Sequence, residues 1–405
     1  MRKNKYSYEV MIIGGGPAGN AAANCLAQNG LDTVVIDTKE KLGDKLCTGI
    51  IGQECSQLIP PDPSLIYRDA PRVSIFGPNN VCYDLQDSNN HAFIIDRVNY
   101  VADIAFAAQT NGADYFLGHK VEELTIESDS VFATIVSPSG RHLISSEVVI
   151  IASGFGSNLV PMAGLEKHKA GDYLVGAQVN SQAPSVDHTY LFTGNSYIPG
   201  SFGWLVPTAN NEALLGAVFR KMDKGVFTAF LDHLISKNVV CSYDSPVRYW
   251  GIPVRPLKKT FAHRTLVVGD AAGFAKPTTG GGIYYAILSG LIAAETILSA
   301  AGNFEYKSMA NYEILWGKKF GQELNVGYYA RLLYESLDDN ALGMLLKKFS
   351  STEIQSYLLS GDGFSFDWHG SMISKTVQNP DILSLLNSLS PKSLWILGKM
   401  LKSAL

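Results

Sequence analysis

Hydrophobic positions change their rhythm along this chain. Residues 8–13 form a compact apolar run, interrupted only by Glu9, that ends in glycines, the pattern of a buried strand. Residues 18–30 are alanine-rich and helical in composition, with Gly30 as a natural stop. Residues 33–36 are β-branched and apolar and predict a second strand. Strand, helix and strand over about thirty residues make a βαβ unit, whose two strands run parallel.

Residues 69–90 are rich in Pro, Asn and Asp and read as an excursion out of that unit. A helix is predicted over 97–112, where Val101, Ile104, Ala105 and Ala108 fall at helical spacing. Alternation over 121–135, a turn at Pro138-Ser139-Gly140 and a buried run at 148–151 predict an antiparallel meander. Strand-like runs recur at 173–179 and 213–219, and a buried strand returns at 266–268. Beyond Ser289 the pattern is largely helical. The stretch 283–301 is greasy enough to suggest a membrane span, but Gly290 and Glu295 interrupt it, and a buried core helix is expected. The fold class predicted is α/β: a Rossmann-like nucleotide-binding domain, an inserted antiparallel-sheet substrate domain and a C-terminal helical region.

Composition narrows the function. The chain is 405 residues long, 46% hydrophobic and only 17% charged, against about 25% charged in an average soluble protein. It can bury a large core. The net charge of −4 offers no basic excess for a phosphate backbone, so no nucleic-acid partner is expected. The five cysteines form no CxxC pair and the histidines no HxxxH or HxH group, so no metal is expected. Scattered cysteines suit a reducing compartment, hence a cytoplasmic location.

Three glycine-centred segments carry the chemistry. Gly14-Gly15-Gly16-Pro17-Ala18-Gly19 lies between the first strand and the first helix. Gly14 permits the tight turn, Gly16 the approach of a pyrophosphate, and Gly19 the close packing of helix on sheet. Free N–H groups at the helix start then face the phosphates. Asp37 ends the second strand, where a carboxylate accepts bonds from ribose hydroxyls. Gly269-Asp270-Ala271-Ala272-Gly273 and Pro277-Thr278-Thr279-Gly280-Gly281-Gly282-Ile283 form the second segment, a strand end and a loop that opens a helix. Ala152-Ser153-Gly154-Phe155-Gly156 is the third, on its own only a turn.

Together these motifs resemble the flavoprotein oxidoreductases of the para-hydroxybenzoate hydroxylase type. Within that superfamily the chain is most similar to geranylgeranyl reductases. Lys45-Leu46-Cys47-Thr48-Gly49-Ile50 occupies the place of their cysteine loop, and Phe202-Gly203-Trp204-Leu205-Val206-Pro207 matches their aromatic-x-Trp-x-Phe-Pro motif with Val206 for Phe. Arg97 matches their arginine ahead of the helix after the first excursion. Ser153 stands where the superfamily carries Asp, and Thr48 where Gly is common.

The resemblance implies FAD as the tightly held cofactor. Expected cofactor-binding residues are Gly14, Gly16, Pro17, Ala18, Gly19, Asp37, Cys47, Thr48, Ile50, Arg97, Val121, Asp270, Gly281, Gly282 and Ile283. Phe202, Trp204 and Pro207 are expected at the substrate, and Cys47 is the one candidate for a catalytic part. Each has a plainer alternative: Cys47 as a small buried hydrophobe, the aromatics as sheet core, Arg97 as a solvated charge. The implied domains are FAD-binding over 1–60, 91–160 and 260–300, substrate-binding over 61–90 and 161–259, and helical over 301–405.

The implied reaction reduces carbon–carbon double bonds of an isoprenoid or lipid-like substrate by hydride from reduced flavin. It needs an external electron donor, NADPH or a ferredoxin-like protein. Lys258, Lys259 and Arg255 are the candidates for a head-group pocket, with surface charge as the alternative. The amphipathic tail 380–405 either packs on the protein's own core, the favoured reading, or makes a peripheral membrane contact. The rival function is an FAD-dependent monooxygenase or halogenase acting on a small aromatic or apolar substrate, and a non-catalytic FAD-binding protein is a second rival.

Overall fold

The strand β1 (Ser7–Ile13) lies at the centre of a parallel sheet, flanked by β2 (Thr33–Asp37) and by the long strand Gly140–Ile151. A computed structural model describes residues 6–43, 48–86, 90–244, 246–359, 365–387 and 389–404. Beyond β2 the sheet continues to Asp114–Leu117, and beyond Gly140–Ile151 to Thr265–Val267. The register sets Ile36, Ile13, Ile151 and Val267 side by side in one row. All four strands are parallel, so the loops that follow these residues leave from the same carboxyl-end edge. That edge is where open α/β sheets bind ligands. Val131–Ser137 pairs antiparallel with Gly140–Ile151, and Lys120–Ile126 pairs antiparallel with Val131–Ser137, the expected meander.

Small residues set the layer on this sheet. Helix α1 (Pro17–Gln28) buries Ala18, Ala21, Ala22, Ala23, Leu26 and Ala27. The helix Ile283–Ala300 crosses it so closely that a Cβ on Gly290 would stand 2.2 Å from the Ala18 carbonyl oxygen. This is the one helix among the described residues long and apolar enough to cross a membrane, and 72% of it is buried inside the protein, the core-helix reading.

A second eight-stranded sheet stands beside the first. Its centre is Tyr173–Gln182, Glu212–Phe219, Ile198–Pro207 and Thr189–Gly194, all antiparallel. Arg72–Phe76 and Cys82–Gln86 extend its edge. Ile66–Asp69 instead pairs with Ala92–Ile95, which also pairs with Ile50–Gly52. Strand pairing therefore divides the segment 61–90 between the second sheet and a small three-stranded sheet. The α/β class with a Rossmann-like core, an added β-sheet region and a helical C-terminal region is borne out.

The tail helices Pro380–Asn387 and Pro391–Ala404 bury Ile382, Leu386, Ile396, Leu397 and Met400 against Val326 and Leu333 of the helix Gln322–Glu335. Their apolar face is thus covered by the protein itself, while Trp395 stays 62% exposed.

The crossing at Gly290 predicts that Gly290→Ala destabilises by about 1–3 kcal/mol through overpacking. Gly398, also helical, has open space where a Cβ would stand, with no atom within 4 Å. There the same substitution should add about 0.5–1 kcal/mol by helix propensity. Thermal midpoints of the two variants, moving in opposite directions from wild type, check both.

Candidate functional site

The turn after β1 is built by contact. Gly14 adopts φ +116°, and a Cβ there would meet the Ala152 carbonyl oxygen at 2.3 Å. On Gly19 it would meet the Gly14 carbonyl oxygen at 1.9 Å. Only glycine lets the turn, the helix and the neighbouring strand end converge this tightly. Gly16 is different: nothing lies within 4 Å of its Cβ position, so its side faces open space. Asp37 already accepts the Gly15 N–H at 2.6 Å and the Lys39 N–H at 2.7 Å. A carboxylate has about four acceptor sites, so ribose hydroxyls can still be accepted.

Asn20 completes the turn and carried no signal in the sequence. It is fully buried; its amide donates to the Gly15 and Val101 carbonyls at 2.9 and 3.2 Å, and it accepts from the Tyr115 hydroxyl at 3.0 Å. A polar residue in an alanine helix is the only trace it leaves.

This edge opens into a cavity of about 1620 Å³, beyond the ~300–1,000 Å³ of ordinary small-molecule sites. Gly14, Gly16, Pro17, Ala18, Asp37, Thr48, Ile50, Arg97, Val121, Asp270, Gly281, Gly282 and Ile283 all line it. Gly19 lies behind, in the helix packing. Cys47 lies outside the described residues. Arg97 is 8% exposed and has no ion-pair partner among the described residues, a buried cation in the cavity wall. The helices Pro17–Gln28 and Ile283–Ala300 both start at the cavity without a side-chain cap. Their free N–H groups and positive dipole ends suit phosphate and a flavin edge. An open glycine cradle, a buried arginine and two uncapped helix starts fit FAD.

The cavity continues along the second sheet. Phe202 and Trp204 line it with their rings 6.2 Å apart, and Trp250 follows at 6.3 Å from Trp204. Trp204 is 6% exposed, and its indole N–H has no partner among the described residues. Pro207 does not reach the cavity. Side chains alternate along a strand, so Phe202, Trp204 and Val206 share one face and Pro207 takes the other. The expectation for Pro207 is corrected on that geometry. Ser153 lines the cavity too, its hydroxyl held by Ser157 at 2.7 Å.

A buried polar knot joins the glycine-rich loop to the segment 365–370. Lys276 is 4% exposed; its ammonium donates to the Phe366 carbonyl at 2.5 Å and lies 3.9 Å from the Phe366 ring centre. The Asp367 carboxylate accepts the Gly52 and Cys55 N–H groups at 3.2 and 2.7 Å. Glu323 accepts the His369 and Gly370 N–H groups, each at 2.6 Å. His369 bonds the Thr278 hydroxyl at 2.6 Å through Nδ1 and the Phe366 carbonyl at 3.0 Å through Nε2. The carbonyl can only accept, so Nε2 carries the proton. Burial pushes Lys276 below its usual range and raises Asp367 and Glu323. Burial, then the charge of Lys276, drives His369 down to about 3. Lys276, Asp367 and His369 line the cavity. Sequence reasoning missed these three and Glu323, because single polar residues spread over loop and helix form no motif.

Gly16→Val should fold, since the protein leaves space there, yet lose FAD by more than about tenfold in affinity through a clash with the pyrophosphate. Flavin absorbance of the purified variant checks this. His369 is held neutral with a folded pKa of about 3 against 6.5. Its contribution to stability is present above the unfolded value and is lost as pH falls from 6.5 toward 3. Thermal midpoints measured between these limits should therefore fall less steeply on acidification in His369→Gln than in wild type.

The protein-family model for pyridine nucleotide-disulphide oxidoreductases matches residues 8–199. Over 377 residues the chain is 29% identical to a digeranylgeranylglycerophospholipid reductase of Methanoculleus marisnigri, covering 88% of this chain and 94% of that one. A geranylgeranyl bacteriochlorophyll reductase-like protein of Thermoplasma acidophilum superposes with TM-score 0.84 at 23% identity, over 95% of this chain and 100% of that one. A p-nitrophenol 4-monooxygenase of Pseudomonas putida shares the fold at TM-score 0.69 and 15% identity, over 86% and 96% of the two chains. The resemblance carried by the glycine motifs and the Phe202–Trp204 segment holds: this protein is an FAD-dependent oxidoreductase, similar in sequence to the digeranylgeranylglycerophospholipid reductases and in fold to the geranylgeranyl bacteriochlorophyll reductase-like protein.

Proposed function

We propose that the enzyme reduces carbon–carbon double bonds in the prenyl chain of an isoprenoid lipid. The observation that carries this reading is the continuity of the cavity. From the nucleotide edge it passes Trp204 and Phe202 and extends between the second sheet and the C-terminal helices, where Leu333, Leu346, Ile373 and Val377 line it. A long chain buried there gains about 25 cal/mol per Å² of apolar surface. The digeranylgeranylglycerophospholipid reductase relatives point to the same class of substrate.

When bound, FAD supplies the hydride for such a reduction. Gly16, Arg97 and the two uncapped helix starts would hold it. Trp204, Trp250 and Phe202 would press the alkene into one orientation, and the apolar lining would exclude water. Electrons must come from an external donor, for which NADPH and a ferredoxin-like protein are the candidates.

The test is anaerobic incubation of the holoenzyme with dithionite and geranylgeranyl compounds, read by mass spectrometry as gains of hydrogen pairs. Trp204→Ala should keep FAD, alter which double bonds are reduced, and lower kcat/KM by about tenfold, equivalent to 1.4 kcal/mol. Oxygen-dependent product with no alkene reduction would replace this reading by the monooxygenase one.

A further inference from the structure

Arg331 sits on the helix Gln322–Glu335 with its side chain 1% exposed, in the wall of the cavity. A guanidinium keeps its proton even when buried, so its charge must be met. Nε donates to Glu335 Oε1 at 2.7 Å and Nη2 to Ser201 Oγ at 2.8 Å. Glu335 is shared, however. Arg220 Nη2 lies 2.7 and 2.9 Å from its two oxygens. Two guanidiniums thus meet one carboxylate and leave one positive charge in excess. Of the next two carboxylates along the chain, Asp338 caps the following helix through the Ala341 N–H at 2.8 Å and Asp339 is engaged by the Asn195 N–H at 2.9 Å. Arg331 Nη1 has no protein partner among the described residues.

The site is also rigid. The rings of Phe202 and Tyr334 lie 5.8 and 5.7 Å from the guanidinium carbon. The Tyr334 hydroxyl bonds Thr193 and the Ser201 carbonyl. By contrast, the cations singled out from the sequence are surface groups. Lys258 is 78% exposed beside Glu166, Arg255 is 50% exposed near Asp172, and Lys259 turns to the Tyr306 hydroxyl.

From this placement, and resting on the isoprenoid reading above, we propose that Arg331 anchors the phosphate-bearing head of the substrate. An arginine fork with a free Nη1 matches phosphate oxygens, and an excess charge in an apolar wall favours an anion there. Phe202 touches on both groups, 5.8 Å from Arg331 and 6.2 Å from Trp204. A head held at Arg331 would send its chain along Phe202 toward Trp204, and so would fix which double bond is presented.

Titration calorimetry on the oxidised holoenzyme tests the anchor, with geranylgeranyl diphosphate, geranylgeranyl monophosphate and geranylgeraniol as probes. Wild type should bind the two phosphates at least about tenfold tighter than the alcohol. Arg331→Gln should abolish that preference and leave the alcohol's Kd within about threefold. Arg331→Lys should restore part of it, and Arg255→Gln should change nothing. Of the two phosphates, the one more affected by Arg331→Gln identifies the head. Equal weakening of all three probes in Arg331→Gln, or no phosphate preference in wild type, overturns the anchor. If the Gln variant loses its flavin, the preference ratio of Arg331→Lys decides by the same criterion. Wild-type reduction of geranylgeraniol, followed in the same preparation, separates the two failures. Alkene reduced without head-group preference removes only the anchor; none of the three bound or reduced removes the isoprenoid reading with it.

Discussion

The meeting of Gly14 with the Ala152 carbonyl is the constraint on which the rest of the site depends. It locks the turn after β1 against the end of its parallel neighbour. With Ile36, Ile13, Ile151 and Val267 held in one row, the loops that follow must share one edge. Gly19 then brings α1 down onto that turn, and Gly290 brings the helix Ile283–Ala300 down onto α1. Two helix starts consequently converge on one cavity. A methyl group at any of these three glycines would force backbone apart, and the convergence would be lost.

Most of the charge in this cavity lies toward its nucleotide edge. The apolar lining runs from Trp250 and Trp204 to the C-terminal helices, and the buried cations of the lining are Arg97, Lys276 and Arg331. Lys276 is held by a carbonyl and a ring face, with Asp367 and Glu323 near enough to favour its charged form. Arg331 shares its carboxylate with Arg220. A buried cation that must share its only carboxylate destabilises a fold, and at Arg331 an anionic ligand would complete the balance.

Much of the nucleotide half was legible because its residues are local. Six consecutive residues after a strand, or a Gly-Asp step before a glycine loop, carry their geometry in their own spacing. The Phe202–Trp204 segment was legible only as a motif match, and the alternation of the strand it forms places Pro207, which that motif had included, on the opposite face. The C-terminal half of the cavity was not legible. Glu323, Arg331, Asp367 and His369 act through partners about 50 to more than 300 positions away, such as Gly370, Ser201, Cys55 and Thr278. Nothing in their neighbours' identities announces such a partner. Asn20 was hidden for a related reason: its three bonds reach Gly15, Val101 and Tyr115.

The Asp367 contact also orders events during synthesis. Its carboxylate fastens to backbone amides 315 and 312 residues earlier in the chain, at Gly52 and Cys55. Chains fold as they leave the ribosome at about 5–20 residues per second, amino-terminal parts first. The βαβ core can therefore assemble while the wall of its cavity is still untranslated. Until that wall arrives, the nascent enzyme has a nucleotide edge open to solvent and no enclosed interior. The bonds from residue 367 to Gly52 and Cys55 are thus among the last to form, and with them the two ends of the chain are tied together across the cavity.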